Sequence, residues 1–265
     1  MDRTYWHKQD VNQPLFPELE WSRPENKALA GKLLIIGGHE HSFAAPADAY
    51  GAAVKAGIGT ARVLLPNRLL RTVGKIFPEA EFAMSNPSGG FSQMALGEAL
   101  TMGEWADGVL LAGDTGRNSE TAILLEKFLD KHSGQVTITK DAVDYFTSTP
   151  QQVLARPETT LVVSFAQLQK LAISARFPQA FTFDMDLVRL IDSLHEFTTF
   201  CSLNILVKHL DTLFVAVQGD VSSTKLSEDL KIWRVKTAAG ASVWWLQNPS
   251  KPFEALATAV FEVSK

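Results

Sequence analysis

Two rhythms of apolar residues alternate along the chain. Leu33-Leu34-Ile35-Ile36 is a continuous apolar run closed by Gly37-Gly38, the pattern of a strand buried on both faces of a parallel sheet. Comparable short runs at 61–65, 108–112, 135–139, 160–164 and 204–208 predict further strands, with a weaker one at 81–84. Helical segments fall between them. The stretch 46–56 is alanine-rich and ends at Gly57, and 119–131 is apolar at 122, 125, 128 and 129, a one-sided helical stripe. Further helices are predicted over 67–77, 93–101, from 164 through 172, and over 185–199. Near the end, 212–217 and 221–225 flank Gln218-Gly219-Asp220, a hairpin signal. One more strand is predicted at 233–236, then a closing helix over 252–263 with Pro252 in its first turn.

Strands that alternate with helices argue for an α/β fold with a mainly parallel central sheet and helices on both faces. No internal repeat interrupts residues 31–265, which read as one domain. Residues 1–30 read as an N-terminal arm: Pro14, Pro17 and Pro24 break it, while Trp6, Phe16, Leu19 and Trp21 give it apolar anchors. Such an arm docks either on its own domain or on a neighbouring subunit as a homo-oligomeric bridge.

Composition narrows the function classes. The net charge is -4, a sign that does not attract a phosphate backbone, so nucleic acid is not an expected partner. No apolar run reaches the length of a membrane span and the first ten residues are polar, so a membrane partner is not expected either. Cys201 is the one cysteine, which excludes an intrachain disulfide. The expected location is the cytoplasm.

The order of the punctuating motifs resembles that of the ADP/ATP-dependent NAD(P)H-hydrate dehydratases of the ribokinase-like superfamily. Leu34-Ile35-Ile36-Gly37-Gly38 is similar to that family's first strand and glycine pair. Ala45-Pro46, Ala52-Ala53 and Lys55-Ala56-Gly57-Ile58-Gly59 resemble its first helix and the turn beyond. Ala106 to Gly113 resembles the strand entering the family's glycine loop, and Gly116 to Thr121 the end of that loop. Asp141-Ala142 resembles half of an Asp-Ala-Asp-Ala-Leu motif, and Lys208 stands where the family has a strand-ending lysine. The resemblance covers roughly 30–260. It implies a ribokinase-like three-layer α/β/α sandwich and a lyase that uses ADP or ATP with Mg²⁺ on a hydrated nicotinamide cofactor. It implies ligand contacts at Gly37, Gly38, His39, Asp141, Lys208, Thr237, Gly240 and Ser242.

The residues that should do the chemistry differ. The family places a Thr-Gly-Gly-(Ser/Thr)-Gly-Asp turn at the start of a helix, where bare amides hold phosphate and the Asp serves as base. Thr237-Ala238-Ala239-Gly240-Ala241-Ser242-Val243 is read at that place, with Ser242 in the Asp position and a short helix after it. A Thr-Pro-His-Pro-Gly-Glu segment is replaced around Ser164 and Gln167, and Asp114 puts an acid into the glycine loop. The expectation is a divergent member that binds nucleotide or cofactor with reduced or lost dehydration. The alternative is a non-catalytic, partner-binding pseudoenzyme without cofactor, and a small-molecule kinase of the same superfamily is the third reading.

Other groups have blander readings. His39-Glu40-His41 fits ordinary loop polarity or a ligand-facing loop better than a metal site. Asp184 and Asp186 suit a helix start, as the macrodipole favours. Asp141 and Asp144 follow a strand's C-terminal end, where α/β ligands bind, so Asp141 is the best candidate for a retained pocket acid. Cys201 reads as buried and the pair Trp244-Trp245 as packing.

Overall fold

The computed structural model describes residues 3–226 and 233–264. In chain order its elements are β1 (Trp6–Gln9), α1 (Pro17–Trp21), β2 (Lys32–Gly37), α2 (Ala44–Lys55), β3 (Thr60–Pro66), α3 (Leu70–Val73), β4 (Ala80–Ala83), α4 (Leu96–Trp105), β5 (Gly108–Gly113), α5 (Ser119–Lys131), β6 (Gln135–Thr139), α6 (Gln151–Leu154), β7 (Thr159–Val163), α7 (Phe165–Ser174), α8 (Leu187–Phe200), β8 (Asn204–His209), β9 (Thr212–Val217), β10 (Asp220–Lys225), α9 (Arg234–Gln247) and α10 (Pro252–Ser264).

One ten-stranded sheet runs in the order β1-β10-β9-β8-β7-β6-β5-β2-β3-β4. Strands β8 through β4 in that order are all parallel, while β9 is antiparallel to both its neighbours. Alternation along each strand divides the core. On β2, Leu34 and Ile36 face α4, α5, α7 and α8, whereas Leu33 and Ile35 face α2, α9 and α10. The three-layer expectation holds, for the reason the apolar runs gave: a strand covered on both faces has no polar side.

The arm belongs to the sheet. β1 pairs in parallel with β10, from Trp6 opposite Val221 to Gln9 opposite Thr224. Arg3 donates to Asp192 of α8 at 2.6 and 2.8 Å, and Tyr5 donates to the same carboxylate at 2.7 Å. Asp192 is thus an anchor for the arm, while Asp186 caps α8 by accepting the Arg189 amide at 2.8 Å.

The strand expected at 233–236 is absent, and so is the open turn expected at 237–243. Both fall at or inside α9, which starts at Arg234 and continues to Gln247, so the helix is not cut short either. Ala238, Ala239 and Ala241 are strong helix formers, and their small side chains let α9 pack against β5 to β7 and beside α2 and α10. Ser242 is buried with its hydroxyl donating back to the Ala238 carbonyl at 2.9 Å.

Candidate functional site

The parallel strands β2, β5, β6 and β7 end on one edge of the sheet, and the first turn of α9 faces the same edge. Short segments there cross in contact. Gly37 lies so close to β5 that a Cβ would stand 2.5 Å from the Gly113 carbonyl, and the Gly38 amide donates to that carbonyl at 3.0 Å. Gly113 has a positive φ of 91°, and a Cβ on it would meet an Asp141 oxygen at 2.6 Å. These glycines let three strand ends converge; they present little surface of their own.

Asp141 follows β6, and its carboxylate accepts three hydrogen bonds from the loop after β5. The donors are the Asp114 amide at 2.7 Å, the Thr115 amide at 2.9 Å and the Thr115 hydroxyl at 3.1 Å. Asp114, in the left-handed region at φ 57°, takes the Lys140 ammonium at 2.5 Å on one oxygen and the Ala45 amide at 2.8 Å on the other. Ala45 lies in the first turn of α2, whose N-cap Phe43 offers no side-chain acceptor, so Asp114 satisfies an amide that would otherwise lack one. Burial works to raise the Asp114 pKa, but Lys140, the Ala45 amide and Ser42 outweigh it and hold the group below the usual carboxylate range.

Gln167 ties the next layer. It closes a capping box with Ser164 at the start of α7, its side-chain amide donates to the Lys140 carbonyl at 2.7 Å and to Asp144 at 2.9 Å, and its oxygen accepts from Arg234 at 3.1 Å. Burial lowers the Arg234 pKa, opposed by the charges of Asp144 and Asp141. Asp114, Lys140, Asp141, Asp144, Lys170 and Arg234 together line an open cleft of about 490 Å³. Its three acids and three bases balance. In the segment after β6, the Tyr145 hydroxyl donates to the Gly116 carbonyl at 2.6 Å, and burial raises its pKa.

The candidate residues divide. Asp141 is in the cleft; Gly37 and Gly38 do not line it but pack against Gly113, which lies against Asp141, and the His39 ring lies against Gly116. Lys208 is on β8 and does not line the cleft. Thr237, Gly240 and Ser242 are buried within α9, and Gly240 borders a different groove. Lys140, Lys170 and Arg234 had not been singled out by sequence. Arg234 becomes visible only once α9 is seen to begin there. Among the described residues no group of three or more His, Cys, Asp or Glu is placed to hold a metal ion, and in the His39-Glu40-His41 loop His41 lies beside Glu40 at 3.0 Å. Cys201 is buried as expected, and burial pushes its thiol up to about 12.

No protein-family profile matches the chain. Known structures do. A ribokinase-like superfamily protein from Enterococcus faecalis superposes over 100% of this chain and 88% of its own length, with TM-score 0.76 at 16% identity. The fold is ribokinase-like. The ADP/ATP-dependent NAD(P)H-hydrate dehydratase of Bacillus subtilis, crystallised with ATP and Mg²⁺, has the same ribokinase-like frame: TM-score 0.65 and 13% identity over 96% of this chain and 88% of that one. In sequence, the bifunctional NAD(P)H-hydrate repair enzyme Nnr of Methanocaldococcus jannaschii is 32% identical over 122 residues, 44% of this chain and 23% of the enzyme. Its counterpart from Methanothermobacter thermautotrophicus is 33% identical over 119 residues, 44% of this chain and 22% of the enzyme. The matched region therefore spans less than a quarter of these relatives.

Proposed function

We propose that this ribokinase-like chain is a divergent relative of the NAD(P)H-hydrate dehydratases. On this reading it binds a nucleotide, ADP or ATP, or a hydrated nicotinamide cofactor at the cleft of Asp144, Lys170 and Arg234, with dehydration reduced or lost. Similarity to the hydrate repair enzymes and to the ATP-bound dehydratase supports the family reading. One observation carries the loss of chemistry. Asp141 is engaged by three internal donors and Asp114 is paired with Lys140, Asp144 is the cleft acid that keeps free lone pairs beside its one bond from Gln167, and the first turn of α9 offers Arg234 and no acid. A base must stand within reach of the proton it takes, and the resemblance puts that base at the start of α9. The same absence argues against a kinase, which needs a base for the attacking hydroxyl.

In a cleft whose acids and bases balance, a polyphosphate would rest on the two cations not paired with Asp114. Lys170 and Arg234 would face the phosphates, and a Mg²⁺ ion would arrive with them, since no dedicated ligand set is found among the described residues. The bound nucleotide would supply the energy that drives dehydration in the related enzymes; here this chain's own groups bind and orient. ADP or ATP with Mg²⁺ at millimolar concentration should raise the melting temperature, since a ligand that binds only the native state stabilises it. Hydrated NADH should be consumed no faster than without protein. A melting temperature unmoved by either ligand would favour a non-catalytic partner-binding protein. Turnover abolished by Asp141→Ala would refute the loss of chemistry.

A further inference from the structure

We propose that Gln167 makes the cleft a receptor for a hydroxylated phosphate ester, holding Arg234 for the phosphate and Asp144 for a hydroxyl beside it. The assignment rests on the reading of this cleft as a phosphate site. Gln167 lies in the first turn of α7 and is 7% exposed. Its amide is held at both ends. The NH₂ group donates to the Lys140 carbonyl at 2.7 Å and to Asp144 at 2.9 Å, and the oxygen accepts from the Ser164 amide and from Arg234, each at 3.1 Å. A carbonyl can only accept, and a main-chain amide and a guanidinium can only donate, so the side-chain amide has one orientation that satisfies its neighbours.

That orientation keeps two opposite charges apart in one cleft. Lys140 is paired with Asp114, but neither Asp144 nor Arg234 enters an ion pair among the described residues. Each instead touches one end of a single neutral, buried amide. Asp144 is exposed and keeps free lone pairs, and Arg234 lines the cleft with N–H groups that Gln167 does not use. A carboxylate in place of this amide would do the reverse. It would pair with Arg234, repel Asp144 and face the Lys140 carbonyl with no proton to give.

The ligand follows from the two groups left open. Arg234, with Lys170 on the same cleft, suits a phosphate, whose oxygens match the planar fork of a guanidinium. A phosphate alone would also meet the Asp144 charge, a repulsion with nothing in return. A phosphate ester with a nearby hydroxyl turns that charge into an acceptor: the O–H donates to the carboxylate, a stronger bond than one between neutral groups. The cleft of about 490 Å³ is of a size for small ligands. A free sugar phosphate and the ribose phosphate of a nucleotide share this chemistry.

Phosphorus NMR titration of the full chain with glycerol 3-phosphate and with propyl phosphate tests this, because the two esters carry the same charge and differ in their hydroxyls. Glycerol 3-phosphate should bind about tenfold more tightly, the scale of a hydrogen bond to a charged group in an open cleft. Asp144→Ala should tighten propyl phosphate, by removing a like charge, and erase the preference; a merely structural role would weaken both esters. Gln167→Glu should weaken both about tenfold or more, as Arg234 is neutralised. Melting curves check that each variant folds, and the comparison of wild type with exposed Asp144→Ala stands even if Gln167→Glu does not. Ribose 5-phosphate and AMP separate the two sources: tighter AMP assigns the ester to a nucleotide, and equal binding to a free sugar phosphate. Propyl phosphate bound as tightly as glycerol 3-phosphate would overturn the proposal and leave the phosphate site standing. So would a preference that survives Asp144→Ala, or a folded Gln167→Glu that binds both esters unchanged. Binding of neither ester by the wild type would overturn both.

Discussion

Asp141→Ala is the most informative single change, because it separates a carboxylate that binds ligand from one that fastens a loop. The substitution removes three hydrogen bonds to the loop after β5, two of them from main-chain amides with no other acceptor recorded. A hydrogen bond to a charged group contributes about 1.5–3 kcal/mol. The site is half-buried, so water recovers part of that, and the expected loss is about 3–5 kcal/mol in total. For a chain of this size that corresponds to a fall in melting temperature of roughly 6–15 °C. Asp141→Asn keeps one acceptor oxygen and should lose about half as much. Urea unfolding followed by circular dichroism measures both. If Asp141→Ala costs less than about 1 kcal/mol, the loop stands without it, and the carboxylate is free for a ligand as the sequence suggested.

Four further outcomes follow. Ser242→Asp, which places an acid in the position read by resemblance, should destabilise by several kcal/mol (order of magnitude) and restore no turnover, because that side chain is enclosed within α9. Ala239→Gly should cost about 1 kcal/mol in urea unfolding, as glycine does inside a helix, and should not raise nucleotide affinity. Asp114 has a depressed native pKa, so its contribution is present above the ordinary carboxylate pKa of about 4 and is lost as pH falls through the lower native value; Asp114→Asn should flatten that part of the stability curve. Burial lowers the pKa of His132 and His209, so the unfolded chain binds more protons between the native values and about 6.5; stability should decline as pH drops below about 6.5, and His132→Gln should reduce the slope.

The sequence was most readable where burial alone decides structure. β2 and β5 carry apolar residues on both faces, and no other element accommodates such short runs bounded by glycine. Asp141 could be picked out because it follows a strand's C-terminal end. Residues 237–243 were misread for the opposite reason: a resemblance to a glycine turn was weighed above local propensity, although Ala238, Ala239 and Ala241 already favoured a helix. The strand expected at 233–236 failed similarly, since Trp233, Val235 and their neighbours suit a strand until the helix beginning at Arg234 claims them. The contacts of Lys140, Gln167 and Arg234 join three separate segments, the turn after β6, α7 and α9, and no spacing within one segment announces them.

The seat of β1 has a consequence for how the chain assembles. Trp6 donates its ring N–H to Ser223, 217 positions away, at 2.9 Å. A parallel pairing over that span closes a very long loop, and its entropy must be met before the contact gives anything back. During synthesis β1 waits, unpaired, until the hairpin of β9 and β10 has been made. In that interval the tyrosine and tryptophan near the start are open to other molecules, which makes slow translation late in the message a route to aggregation.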